Sequence, residues 1–229
     1  LLECEKNSVL EIIKIFNFYK LRSKVNLNDV SNMYINIVIS LKKFREISKD
    51  QSLKGATIIH NKDIMYIDPR NENLGAKIVS KTKTPKSIIE NLNLKEIDKQ
   101  EYYSNSFDLG IPQINLSKLK DKIFGIENNL DELGGIDFKK GCYIGQENTS
   151  RIKLRNKLRK RILPIIKISG KIIENEIIRY KNIEVGKVMI AEPFPFALIK
   201  IVEPDIKEFI DIELICGESK VKIFKPTWI

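Results

Sequence analysis

Cys142 is the residue whose surroundings favour chemistry. It stands in the segment Lys139-Lys140-Gly141-Cys142-Tyr143-Ile144-Gly145-Gln146-Glu147-Asn148-Thr149-Ser150-Arg151. Gly141 and Gly145 permit a tight, exposed backbone path, and Gln146 to Thr149 favour the opening of a helix. A thiol at that place feels the positive end of the peptide dipoles, and Lys139, Lys140 and Arg151 add positive potential, so both effects favour the thiolate. A thiolate attacks electrophiles, ligates soft metals or iron–sulfur clusters, and forms mixed disulfides. Cys4 and Cys216 are far away in sequence, so one chain does not enclose a four-thiolate cluster, and further ligands would come from a partner chain or a small thiol. The competing reading of Cys142 is a small buried hydrophobe in a glycine-rich turn.

Much other chemistry is excluded by what the chain lacks. Its single histidine, His60, leaves no Ser/His/Asp triad and no two-histidine zinc site, and no metal-ligand spacing occurs, so no metal site is expected. The three cysteines form no CxxC pair and no even disulfide framework, which points to a reducing compartment, read here as the cytoplasm. Apolar runs are short and broken by Lys, Glu and Asn, so no membrane contact is expected. The 229 residues, 42% of them hydrophobic, suffice for one sizeable core or two smaller ones. The opening Leu1-Leu2-Glu3 lacks an initiating methionine and runs directly into a helical pattern, which suggests missing upstream sequence.

The net charge of +10 is concentrated. Residues 139–161 carry nine Lys or Arg against the one acid Glu147. Every odd position from Arg151 to Arg161 is basic, the period of a strand, yet Leu154, Leu158 and Ile162 recur every four residues, the period of a helix. A helical first portion passing into a strand reconciles the two. Such a face attracts RNA phosphates or a polyanion, or is simply a solvated lysine-rich surface.

The elements that must position the thiol follow from periodicity. Val9, Leu10, Ile12, Ile13, Phe16 and Tyr19 form the stripe of an amphipathic helix. Strands are expected over 24–28, 33–40, 57–67 (a hairpin turning at Asn61-Lys62-Asp63) and 75–80, the hairpin ending at Asp68-Pro69-Arg70. Helices follow over 85–92 and 96–109. After Arg161 come six short apolar runs, over 162–168, 172–180, 185–191, 196–202, 210–216 and 221–224, which read as a small antiparallel barrel or sandwich. The fold class is α+β, with a first domain over 1–160 and a barrel over 161–229. Cys4 and Cys216 are expected in the core, His60 at a strand end, Asp68 and Arg70 as a salt-bridged strand end, and Trp228 as a packing anchor.

The segment Lys140-Gly141-Cys142-Tyr143-Ile144-Gly145-Gln146-Glu147, followed by Arg151, resembles the signature of the YgfZ family and its mitochondrial iron–sulfur assembly relatives. The likeness extends to Tyr19-Lys20-Leu21-Arg22-Ser23-Lys24-Val25, to Asp68-Pro69-Arg70 with Leu74-Gly75, to Glu127-Asn128-Asn129-Leu130-Asp131-Glu132-Leu133, and to Lys225-Pro226-Thr227-Trp228. The resemblance implies a T-protein-like folate-binding domain followed by the barrel, with tetrahydrofolate as ligand. It implies an accessory role in assembly or repair of [4Fe–4S] enzymes through Cys142, with an indirect effect on tRNA modification, and iron–sulfur machinery or client enzymes as partners. Glu127 aligns with the family's pterin-binding acid; a carboxylate suits the pterin's N–H donors. Lys140 and Arg151 would meet the anionic folate tail, and Gly141, Tyr143, Gly145, Gln146 and Glu147 complete the loop. In a eukaryotic source the location would be the mitochondrial matrix. A phenylalanine-leucine-glutamine-glycine segment that precedes this region in the family is not found, and the T-protein's catalytic aspartate would lie there. An apolar face left exposed is therefore expected. Two alternatives remain, a tetrahydrofolate-dependent aminomethyl or one-carbon transferase, and an RNA-binding module using the 151–161 face.

Overall fold

The computed structural model describes residues 1–48, 55–81, 85–143, 145–155 and 157–229. They fall into two units, Leu1–Ile67 with Gly75–Glu96, and Asp68–Leu74 with Ile97–Ile229. The chain is a mixture of helices and antiparallel sheets, and the second unit contains a closed six-stranded barrel.

In the first unit, the hairpin of β2 (Thr57–His60) and β3 (Asp63–Ile67) turns on Asn61 and Lys62, both at positive φ, so that His60 pairs with Asp63. Two left-handed residues give the turn whose twist matches the strands it joins. His60 ends β2 as the sequence indicates, and β3 stops at Ile67 just before Asp68-Pro69. β4 (Ala76–Ser80) lies between β3 and β1 (Ile35–Ile39), giving the order β1-β4-β3-β2. The register of β4 against β1 depends on Gly75: its φ is +88°, and a Cβ there would lie 2.3 Å from the Ile39 carbonyl oxygen. Met65, Ile67, Ala76 and Ile78 point to one face, where Phe44 of α2 (Leu41–Ser48) and Ile88 of α3 (Lys86–Asn91) cover them.

Three expectations need correction here. Residues 24–28 form no strand; Lys24, Asn26 and Asn28 alternate with only Val25 and Leu27, and Val25 stays exposed. The helix α2 was not anticipated, although Ser40 Oγ accepts the Lys43 N–H at 3.2 Å as a helix-start cap. Cys4 is exposed and not in a core. The first helix, α1 (Val9–Tyr19), forms where its apolar stripe indicates, but none of its residues is buried.

In the second unit, the barrel runs β10-β5-β8-β7-β6-β9, with β5 Lys160–Ser169, β6 Ile177–Tyr180, β7 Ile183–Ile190, β8 Phe196–Lys200, β9 Glu213–Cys216 and β10 Ser219–Ile223. Closure leaves no free sheet edge. Leu163, Ile165, Ile178, Val185, Val188, Ile199, Leu214, Val221 and Ile223 fill the interior with Phe209 and Cys216. β5 is buried on both faces at its start, because Ile162 joins Leu119, Met189, Ile190 and Phe196 on the outside while Leu163 faces inward. Helix α4 (Lys99–Asp108) starts at Asp98, whose side chain accepts the Gln100 N–H. Trp228 anchors the tail as its type suggests, donating Nε1–H to the Leu109 carbonyl at 2.6 Å. Asp68 and Arg70 form the expected ion pair, two-pronged at 3.0 and 2.6 Å, and Gln113, with its amide turned so that the oxygen faces the same guanidinium, accepts from it at 2.8 and 2.9 Å.

Candidate thiol site

Two stretches of the second unit make up the site. The first is the turn over 124–135, wound by local hydrogen bonds: Asn128 N–H to the Phe124 carbonyl at 3.0 Å, and Gly135 N–H to the Leu130 carbonyl at 2.6 Å. It is fastened to the first residues of β5. Ile162 N–H donates to the Glu127 carbonyl at 2.8 Å, and Asn129 Nδ2 donates to the Ile162 carbonyl at 2.8 Å. Arg161 Nη1 donates to Asn129 Oδ1 at 2.9 Å, and its Nη2 contacts Glu132 Oε1. Burial pushes the Glu132 carboxyl up, but the Arg161 hydrogen bond, a backbone N–H and the charges of Arg161 and Lys153 outweigh it, and the net shift is downward. The Glu127 carboxylate accepts the Phe124 N–H of its own turn at 2.9 Å.

The second stretch carries the thiol. Lys139 N–H donates to Asp137 Oδ1 at 2.8 Å as the chain leaves the turn. Lys140 Nζ sits 4.3 Å from the centroid of the Tyr143 ring. Cys142 is exposed, with a free thiol. Tyr143 N–H donates to Gln146 Oε1 at 3.0 Å and its carbonyl accepts the Gln146 N–H at 3.2 Å, so the tyrosine and glutamine brace the helix start. Gly145, at φ +88°, is the residue before helix α5 (Gln146–Leu154). Among the described residues, a Cβ at Gly141 or Gly145 would meet no atom within 4 Å. Arg151 pairs with Glu147 at 2.5 Å, one helical turn back, and both are exposed. Lys153 reaches Asp131 in the turn, and its ammonium lies 5.5 Å from the Phe138 ring centroid.

Lys140, Gly141, Cys142, Tyr143, Gly145, Gln146, Glu147 and Arg151 thus share one exposed stretch; Ile144 of the signature lies outside the described residues. Glu127 belongs to the neighbouring turn and is linked to that stretch through Asp131 and Lys153, not directly. The helix-then-strand reading of the basic run is what forms, α5 ending at Leu154 and β5 beginning at Lys160. Its alternating basic residues do not form one free face: Arg161 turns inward to Glu132, Lys153 to Asp131 and Arg151 to Glu147. Asn129, Asp131, Glu132, Lys153 and Arg161 were not singled out for this framework. The signal available was the acidic Asp131-Glu132 pair set against a basic run. Among the described residues, no three His, Cys, Asp or Glu are grouped to hold a metal ion, and no helix is long and apolar enough to cross a membrane.

No family model matches the chain. Among curated proteins, it is similar to the mitochondrial iron–sulfur cluster assembly factor IBA57 homologue of Dictyostelium discoideum, at 35% identity over 150 residues, covering 65% of this chain and 36% of that protein. The IBA57 homologue of Neurospora crassa is 31% identical over 166 residues, covering 72% of this chain and 37% of that protein. The IBA57 of Mus musculus is 26% identical over 172 residues, covering 74% of this chain and 45% of that protein. The matched region is therefore less than half the length of these relatives. The cysteine signature resembles that of YgfZ, and over about 70% of its length the chain is a homologue of proteins named as IBA57 iron–sulfur cluster assembly factors.

Proposed function

We propose that this chain assists the assembly or repair of [4Fe–4S] enzymes, with Cys142 as the group that touches the cluster. The observation that carries the reading is an exposed free thiol between two glycines with open space around them, next to a helix start, in a relative of named iron–sulfur cluster assembly factors. The thiol would release its proton to solvent as its sulfur binds a cluster iron, and the thiolate displaced from that iron would leave protonated. One chain supplies one such ligand here, so the remaining ligands come from a partner protein or a small thiol, which makes the contact transient. An effect on tRNA modification would be indirect, through enzymes that carry such clusters. The relatives' names are mitochondrial, which favours the matrix over the cytoplasm as the working compartment.

Tetrahydrofolate is proposed as a ligand at the 124–135 turn. What supports the reading is a set of acceptors in that turn: beside the Glu127 carboxylate, Asn128 Oδ1 and Glu132 Oε2 are buried side-chain oxygens without a hydrogen-bond partner, which the turn would have to open to present to a pterin's amino and ring N–H donors. These residues would bind and orient the ring; when bound, the folate would supply one-carbon or redox chemistry. The cavity lined by Tyr103, Phe107, Ile111 and Phe196 holds about 10 Å³, room for one water and not for a pterin.

The test is Cys142→Ala in cells lacking the endogenous protein. It should lower the activity of [4Fe–4S] enzymes while leaving the circular-dichroism spectrum and melting temperature of the purified variant unchanged. Full enzyme activity with Cys142→Ala would remove the thiol from the mechanism. Calorimetry with tetrahydrofolate, anaerobically, on the chain and on Glu127→Ala tests the ligand separately. A basic surface also favours a weak RNA contact, since Arg155, Lys157, Arg159 and Lys160 are exposed. With about four phosphates engaged, its affinity should fall with salt at a log–log slope of about −3.

A further inference from the structure

We infer that Lys153 is a positioning residue for Cys142, acting through its ion pair with Asp131. The inference rests on the assignment of Cys142 as the working thiol.

Helix α5 fully buries none of its residues, and its apolar packing is limited to the partly buried Ile152. Among the described residues, Lys153 reaches from it to the rest of the unit, contacting Asp131 across 22 positions and lying over the Phe138 ring. Asp131 is a firm anchor. It sits between Asn129 and Glu132, both bonded to Arg161, in a turn that also trades backbone hydrogen bonds with Ile162 of β5. The thiol-bearing stretch leaves this turn at Gly135 and returns at Lys153, so the ion pair closes it into a loop whose two ends refer to the same barrel strand. Cys142 lies within that loop, between the Asp137 turn and the Gly145 helix start. Closing the loop restricts the conformations open to the thiol, and opening it releases them. The side chain of Asp131 is 20% exposed and that of Lys153 51%, which places the clasp in the range of modest, breakable ion pairs.

The test uses the whole chain in a Cys4→Ser background, so that Cys142 is the accessible thiol. Lys153→Met keeps the aliphatic stem over Phe138 and removes the charge; Asp131→Asn removes the other partner; Lys153→Arg keeps the charge. Lys153→Met and Asp131→Asn should each shift the iodoacetamide rate of Cys142, and raise amide exchange over 137–153, by about two- to fivefold. The double variant should add nothing further, because both changes open one contact. Lys153→Arg should stay at the parent rate, as should Lys220→Met, which breaks the exposed Lys220–Glu213 pair on the barrel. Melting temperatures should differ by no more than a degree or so. Parent-like alkylation in Lys153→Met, or additive effects in the double variant, would overturn the assignment. Neither readout needs a cluster, so a failure of the iron–sulfur reading, seen as full activity in Cys142→Ala, is distinguishable from a failure of the clasp.

Discussion

Arg161, the second residue of β5, turns its guanidinium away from solvent and onto Glu132 of the 124–135 turn, leaving only 15% of the arginine side chain exposed. A residue that reads as part of a basic surface is instead the bolt between the barrel and the turn beside Cys142. Its partner's titration has a definite sign. Glu132 is held below the ordinary carboxyl value when folded, since Arg161 and its neighbours outweigh the burial that would raise it. The unfolded chain then binds the proton more tightly. The pair's contribution is complete above the unfolded carboxyl value, about 4.3, and is lost as pH falls through the lower folded value. Glu132→Gln should cost about 1 kcal/mol in urea unfolding at pH 7, and the difference from the parent should shrink below about pH 4. A difference constant down to pH 3 would mean that the ion pair contributes nothing.

The three thiols should separate by reactivity. Burial raises the Cys216 thiol to about 11, with the nearby Glu176 carboxylate adding to the shift. Cys4 and Cys142 are exposed. Native protein at pH 8 should therefore take up two equivalents of iodoacetamide, and mass mapping should find them on Cys4 and Cys142. The third should appear only in denaturant. Modification of Cys216 in the native protein would mean that β9 opens readily.

Glycine replacement should discriminate between backbone strain and crowding. Gly145 is at positive φ with open space beyond, so Gly145→Ala carries only the left-handed cost of about 1–2 kcal/mol. Gly75 has the same backbone conformation but faces the Ile39 carbonyl oxygen at 2.3 Å, so Gly75→Ala must also displace β1. Its cost should exceed that of Gly145→Ala in the same denaturation series. Equal costs would show that β1 shifts freely.

The barrel was legible in sequence because each short apolar run ends in turn residues; all six predicted runs overlap a strand. The hairpin over 57–67 was legible for the same reason. α2 was missed although Leu41, Phe44 and Ile47 recur three apart and pack on one core, because a stripe of three residues in two turns is short and stands among charged neighbours. At the site, the glycines around Cys142 and the helix after it could be read from local preferences alone. The turn's attachment to β5 could not, because Arg161 lies 32 and 29 positions from Asn129 and Glu132, and all three look like ordinary surface residues until the fold pairs them. Cys4 was misjudged because a cysteine's usual burial carries no information about which segment holds it.

Helix α1 bears on behaviour in solution. Its apolar stripe predicts a buried face, yet Leu10 and Phe18 are 79% and 73% exposed, and Leu21 beyond the helix is 83% exposed. Side chains as exposed in the folded as in the unfolded chain contribute almost nothing to stability. Each nevertheless stands to gain about 1.5–3 kcal/mol from burial against another surface. Leu10→Ser and Phe18→Ser should each change the unfolding free energy by no more than about 0.5 kcal/mol, while lowering hydrophobic-dye binding and concentration-dependent light scattering. A loss of about 2–5 kcal/mol, the cost of truncating a core residue, would instead mean that α1 is packed in solution, and that its apolar stripe is part of the fold's own core.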